Sequence, residues 1–192
     1  MGGSIARGLA KGSIIPASDI TISNPTEEKL EALQREFPAF RITKNNQEAS
    51  KDAEIVILAV KPWLIKSVTQ ELKLKSKQIV VSVAAGISFE ELSHDLTEPD
   101  MTIFRLIPNT AISQLASMTL ISSRNATPAQ EQLMLDIFNE MGLAMLIPEE
   151  KLAAEVYTGR HASRHRNGNI PQRRHENDSP IRKGCRRTDI EQ

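Results

Sequence analysis

Along the first 154 residues, short unbroken aliphatic runs alternate with stretches whose apolar residues recur every three or four positions. The runs at 54–60 and 78–84 are rich in Ile and Val, the pattern of strands buried on both faces of a sheet. Ile20 and Ile22 mark a strand that ends at the turn pair Asn24-Pro25. Residues 101–106, 118–122 and 143–147 read as the last strands. Helical spacing appears at 3–11, where Ile5 and Leu9 lie four apart before Gly12, and at 26–37, where Leu30 and Leu33 share a face. Pro62 opens a helix with Leu64, Ile65, Val68 and Leu72 on one stripe. Ser88-x-x-Glu91 and Thr127-x-x-Gln130 are capping boxes ahead of two further helices.

Alternating strands and helices with doubly buried strands predict an α/β fold, a mainly parallel, doubly wound sheet. Ligands of such sheets bind beyond the carboxyl ends of the strands. The informative segments are therefore Ser23-Asn24-Pro25, Val60-Lys61-Pro62, Ala84-Ala85-Gly86 and Pro108-Asn109-Thr110.

Composition divides the chain. Residues 155–192 hold nine basic residues against five acidic ones, a net of +4, and residues 1–154 hold 15 against 19, a net of −4, so the whole chain of 192 residues balances at zero. The later segment has few apolar residues and no period, and is expected to be a disordered Arg/His-rich tail. His161 and His165 are four apart but lack a carboxylate or thiol to complete a metal set, so no metal site is expected. The basic stretch at 174–187 carries no aromatic residue to stack on bases, and neutral overall charge gives no reason to expect a nucleic-acid or membrane partner. A lone Cys185 and the absence of a charged-then-apolar opening segment suggest a reducing, cytoplasmic setting.

Taken in order, the strand ends resemble those of pyrroline-5-carboxylate reductase. The matching pieces are Met-Gly-Gly-Ser-Ile-Ala-Arg-Gly-Leu at 1–9, Ser-Asn-Pro at 23–25, Leu-Ala-Val-Lys-Pro at 58–62, Val-Ser-Val-Ala-Ala-Gly at 81–86 and Arg-Leu-Ile-Pro-Asn-Thr at 105–110. The resemblance implies a Rossmann-like domain and an NAD(P)H-dependent reduction of 1-pyrroline-5-carboxylate to L-proline. It assigns Gly2, Ser23, Asn24, Asn46, Ala59, Val60, Lys61, Pro62, Ala84, Ala85 and Gly86 to the cofactor, and Asn109 and Thr110 to the reacting end. Several of these positions also have a plain structural reading. Ser23-Asn24 suits a strand-to-helix turn, Asn46 a helix cap, and Ala84-Ala85-Gly86 close packing of strand on helix. Arg105 reads as structural, pairing with an acid or covering the sheet. Neutral Ser23 and Asn24 stand where an acid would bind the ribose hydroxyl of NAD and repel a 2′-phosphate, which favours NADPH over NADH.

Aligned with that family, Met1 falls inside the G-x-G-x-x-G turn, with Gly2 on its last glycine. The expectation is an incomplete NAD(P)-binding domain over 1–154, lacking its first strand, with the tail at 155–192 in place of the family's helical dimerisation domain and its oligomer interface. A change of reading frame after residue 154 would produce such a break. Losing about five buried strand residues removes about 10 kcal/mol of burial, comparable to the net stability of about 5–15 kcal/mol typical of a domain. Low solubility, weak or absent cofactor binding and no turnover are the expected consequences. The alternatives are a non-catalytic nucleotide-binding fragment and a basic-tailed interaction protein.

Overall fold

The computed structural model describes residues 1–152 apart from Thr97 and Pro99. The tail at 155–192, with its histidines, its basic stretch and Cys185, lies outside the described residues. The chain enters directly into α1 (Gly2–Lys11), whose Ile5, Ala6 and Leu9 are buried. Then follow β1 (Thr21–Ser23), α2 (Glu27–Glu36), β2 (Arg41–Thr43), α3 (Asn46–Ser50) and β3 (Ile55–Leu58). A 3-10 turn, Pro62–Leu64, leads into α4 (Ile65–Glu71), β4 (Ile79–Ser82), α5 (Phe89–Asp95) and β5 (Thr102–Ile107). A second such turn, Thr110–Gln114, precedes β6 (Ser117–Arg124), α6 (Pro128–Asn139) and β7 (Gly142–Leu146).

The strands form two sheets, β1-β2 and β3-β4-β5-β6-β7. Every pairing is parallel except β5 with β6, so the expected mainly parallel α/β architecture holds. The larger sheet is packed on both faces at β4 and β5, while Met118 of β6 and Leu143 and Met145 of β7 are exposed. On one, Val81, Phe104, Leu106 and Ile121 pack with Ile5 and Leu9 of α1 and with Met134, Ile137 and Phe138 of α6. On the other, Val80 and Ile103 pack with Ile65 and Leu72 of the α4 segment and with Phe89 and Leu92 of α5. The smaller sheet is held from one side by a cluster of Ala6, Leu33 and Phe40, so α1 touches both sheets.

Three expectations need correction. β3 was expected to be buried on both faces, yet only Leu58 is buried and Ile55, Val56 and Ile57 remain half-buried. The reason is position: β3 is the outer strand of its sheet, paired with β4 alone. The stripe from Pro62 is also rearranged. Leu64 is 43% exposed, because the 3-10 turn rotates it away from the α4 face. Thr69 takes an inward place beside Ile65 and Leu72, its hydroxyl donating to the Ile65 carbonyl at 2.9 Å. Finally, β2 was absent from the sequence reading; it has three residues and one aliphatic side chain, and its formation depends on pairing with β1.

Both capping boxes form as expected, at Ser88 and Glu91 and at Thr127 and Gln130. The Ser88 amide, then its hydroxyl, hold the Glu91 carboxyl below its ordinary pKa by donating to it. Another carboxylate ties distant parts together. Glu140, just after α6, accepts from the hydroxyl and amide of Ser13 and from the amide of Ile14, at 2.5, 2.7 and 3.2 Å. Those bonds, the Ser13 hydroxyl foremost, hold its pKa below the usual range. No helix among the described residues is long and apolar enough to cross a membrane.

Candidate dinucleotide site

β3, β4 and β5 run parallel and in adjacent order, so the segments that leave their carboxyl ends emerge side by side. Leu58 is opposite Ser82, which is opposite Arg105, and the ladder continues one step further with Val83 N–H donating to the Leu58 carbonyl at 3.2 Å. Ala59-Val60-Lys61-Pro62, Ala84-Ala85-Gly86 and Asn109-Thr110 therefore share one rim. Gly2, the first residue of α1, faces the first of these: a Cβ built on it would stand 3.1 Å from the Ala59 Cβ. The missing side chain lets the helix end approach the strand end closely, the role of a helix–strand packing glycine. α1 has no side-chain cap and no acid in its first turn; the Ser4 amide donates to the Met1 carbonyl at 2.8 Å, and Gly2 puts the positive end of the helix dipole beside Ala59.

The small residues at the end of β4 leave room. Ala84 is buried, Ala85 and Gly86 are exposed, and a Cβ on Gly86 would meet nothing within 4 Å. Gly86 has φ +79°, a backbone state that glycine adopts freely and other residues rarely enter. Across the rim, Asn109 accepts from the Ala111 amide at 2.9 Å and so caps the turn at 110–114. That bond engages Oδ1, which leaves Nδ2 as the donor of this exposed side chain, next to the exposed Thr110. Lys61 is also exposed, and its ammonium lies 6.0 Å from the centre of the Trp63 ring.

A second corner forms at the carboxyl ends of β1 and β2. The Ser23 hydroxyl donates to Asn46 Oδ1 at 2.8 Å, joining two candidates that are 23 residues apart. Asn24 Oδ1 accepts from the Thr26 amide at 2.9 Å, the expected turn chemistry. Asn46 is not the cap of α3; Asn45 is, accepting from the Glu48 amide at 3.1 Å. That leaves the Asn46 side chain for Ser23. Sequence reading overlooked two charged neighbours of this corner, Glu27 in the first turn of α2 and Lys44 just past β2, whose side chains meet at 3.0 Å. Their pairing depends on β2, which explains why the linear pattern gave no sign of it.

Arg105 is buried in the sheet, as its structural reading required. Its Nη1 donates to Glu149 Oε1 at 2.7 Å, and its guanidinium lies over the Phe89 ring at 5.5 Å. Glu149 also accepts from the Phe89 amide at 2.9 Å. The bonds join the end of the described chain to α5 and β5, beneath the rim.

A cavity of about 460 Å³ opens between α4 and α5, with Trp63, Ile65, Glu91 and His94 among its walls. Of the rim residues named above, only Pro62 lines it. His94 lies on an exposed helix face beside Asp95. No cluster of His, Cys, Asp and Glu suited to a metal ion occurs among the described residues.

A mainly parallel sheet packed with helices on both faces, with a helix N-terminus, small residues and neutral polar groups at its carboxyl rim, is the arrangement of a Rossmann-like domain. The family described as NADP oxidoreductase coenzyme F420-dependent matches residues 1–86. A pyrroline-5-carboxylate reductase of Methanosarcina acetivorans is 32% identical over 158 residues, covering 80% of this chain and 57% of that protein. Among solved structures, a pyrroline-5-carboxylate reductase from Coxiella burnetii superposes with a TM-score of 0.67 at 25% identity, covering 83% of this chain and 63% of that one. The Plasmodium falciparum pyrroline carboxylate reductase with NADP bound gives a TM-score of 0.69 at 22% identity, covering 88% and 67%, and supports the fold. The resemblance to pyrroline-5-carboxylate reductase read from the strand ends is borne out. The chain spans little more than half the length of the curated relatives it matches.

Proposed function

We propose that residues 1–154 are the NADPH-binding part of a pyrroline-5-carboxylate reductase, an enzyme of proline formation working in the cytoplasm. The observation that carries this reading is the convergence on one rim of Gly2, Ala59-Val60-Lys61-Pro62, Ala84-Ala85-Gly86 and Asn109-Thr110, with the Ser23–Asn46 corner for the adenosine ribose. The residues present fit the cofactor. The α1 amides suit a pyrophosphate, the open backbone at Gly86 admits a flat ring, and Ser23 and Asn24 carry no negative charge to repel a 2′-phosphate. Lys61 adds a positive charge at the end of β3. Asn109 and Thr110 are assigned to orienting the reacting end by hydrogen bonds.

NADPH, when bound, supplies a hydride to the carbon of the substrate's C=N bond. What the protein must add is position, with the reacting atoms held about 3–3.5 Å apart. The described rim offers Asn109 and Thr110 on the substrate side and little else, so this chain alone is expected not to turn over. Incubation of the 192-residue chain with NADPH and 1-pyrroline-5-carboxylate, followed by absorbance of the reduced nicotinamide, checks this. Oxidation no faster than the protein-free blank is expected. Substrate-dependent oxidation that saturates would show that the chain carries a complete active site and would refute the division of labour proposed.

A further inference from the structure

We propose that Glu27 and Lys44 together set how strongly the adenosine corner prefers a 2′-phosphorylated nucleotide, Lys44 as the phosphate contact and Glu27 as the residue that restrains it. The proposal rests on the cofactor reading above and names the residues that tune it. Ser23 is opposite Thr43 in the β1–β2 register, and the Asn24 amide donates to the Thr43 carbonyl at 3.3 Å. Lys44, the next residue, therefore leaves β2 directly beside the Ser23-Asn24 turn. Glu27 starts α2 three residues beyond Asn24, and its carboxylate holds the Lys44 ammonium at 3.0 Å.

Ser23 and Asn24 remove a repulsive charge from this corner, but they supply no cation. The Ser23 hydroxyl already donates to Asn46, and Asn24 Oδ1 already accepts from the Thr26 amide. A 2′-phosphate carries about −1.5 to −2 charges near neutral pH and needs a positive partner. Lys44 is that partner in place, with its side chain 59% exposed. Its present bond to Glu27, itself 64% exposed, is a solvated surface pair and is weak. A phosphate carrying more negative charge outcompetes the single carboxylate for the ammonium. The displaced Glu27 carboxylate stays close by and repels the same phosphate. Glu48 also faces this corner, but its carboxylate is engaged by the Thr43 hydroxyl at 2.5 Å. The corner thus combines one cation with a counter-charge that weakens it, and preference for NADPH over NADH is modest in the native chain.

Calorimetric titration of the full chain with NADPH and separately with NADH tests the assignment, with thermal melts confirming that each variant is folded. Glu27→Gln is expected to tighten NADPH about threefold, the scale of a surface charge pair, while leaving NADH unchanged. Lys44→Gln is expected to weaken NADPH about fivefold, again with NADH unchanged. In the Lys44→Gln background the gain from Glu27→Gln should shrink to that of lost repulsion alone. Adenosine 2′,5′-bisphosphate and 5′-AMP should repeat the pattern without the nicotinamide. Equal responses of the two nucleotides to either substitution, or no response of NADPH to Lys44→Gln, would overturn the assignment while leaving the cofactor reading intact. Failure of both nucleotides to bind the native chain would instead overturn the cofactor reading and this inference with it.

Discussion

Gly142→Ala is expected to destabilise the fold by about 3 kcal/mol or more, a shift of about 6–12 °C in melting temperature for a chain of this size. Gly142 opens β7 with φ +136°, where an L side chain is strained. A Cβ there would also run into the Ser117 carbonyl oxygen and amide, and both belong to backbone. That backbone has no freedom to yield. Ser117 is the register partner of Gly142, its amide donates to the Met141 carbonyl at 3.0 Å, and its hydroxyl lies 3.1 Å from that of buried Thr119. β7 in turn supplies Ala144 to the core beneath α6. A thermal or urea melt of the alanine variant decides the matter. A midpoint within about 2 °C of the parent would mean that β7 adopts a different register in solution.

Arg105→Leu is expected to remove about 2–4 kcal/mol, because it leaves the partly buried Glu149 carboxylate without its cation. The Arg105 side chain is 8% exposed and that of Glu149 31%, so the pair is shielded but not fully desolvated. Glu149 keeps its bond from the Phe89 amide, which moderates the loss. The double variant Arg105→Leu with Glu149→Leu is expected to recover part of the stability, since replacing a buried pair by apolar groups is far less harmful than breaking it. Urea unfolding of the two single variants and the double measures the coupling. If the losses of the single variants simply add, the two side chains do not interact in the folded state.

The elements that could be read from the sequence are those whose physics is local. Ser88 and Glu91, or Thr127 and Gln130, lie three residues apart and bond across one turn, so the motif and the structure coincide. The buried run of β4 likewise announces itself, because strands flank it on both sides. β3 carries an equally apolar run but ends up half-exposed, since burial depends on a second neighbour that no local pattern encodes. β2 escaped detection for the opposite reason, having too few apolar residues to signal a strand that its partner β1 nevertheless organises. The candidate site divides in the same way. Gly2, Ala84-Ala85-Gly86 and Asn109 stood out at strand ends and by family resemblance. The Ser23–Asn46 bond and the Glu27–Lys44 pair join residues brought together only by the β1–β2 register. Arg105 and Glu149, 44 residues apart, illustrate it again: the arginine was legible as structural, but its acid was not.

The most direct test of the proposed nucleotide site at the strand-end rim is a residue-resolved NADPH titration of the chain by amide chemical shifts. Shift changes are expected at Gly2 and Gly3, Ser23, Asn46, Lys61, Ala85, Gly86, Asn109 and Thr110. The walls of the α4–α5 cavity and the exposed side of β7 should stay silent. No shift at millimolar NADPH, or changes centred on that cavity or on β7, would contradict a dinucleotide site at this rim.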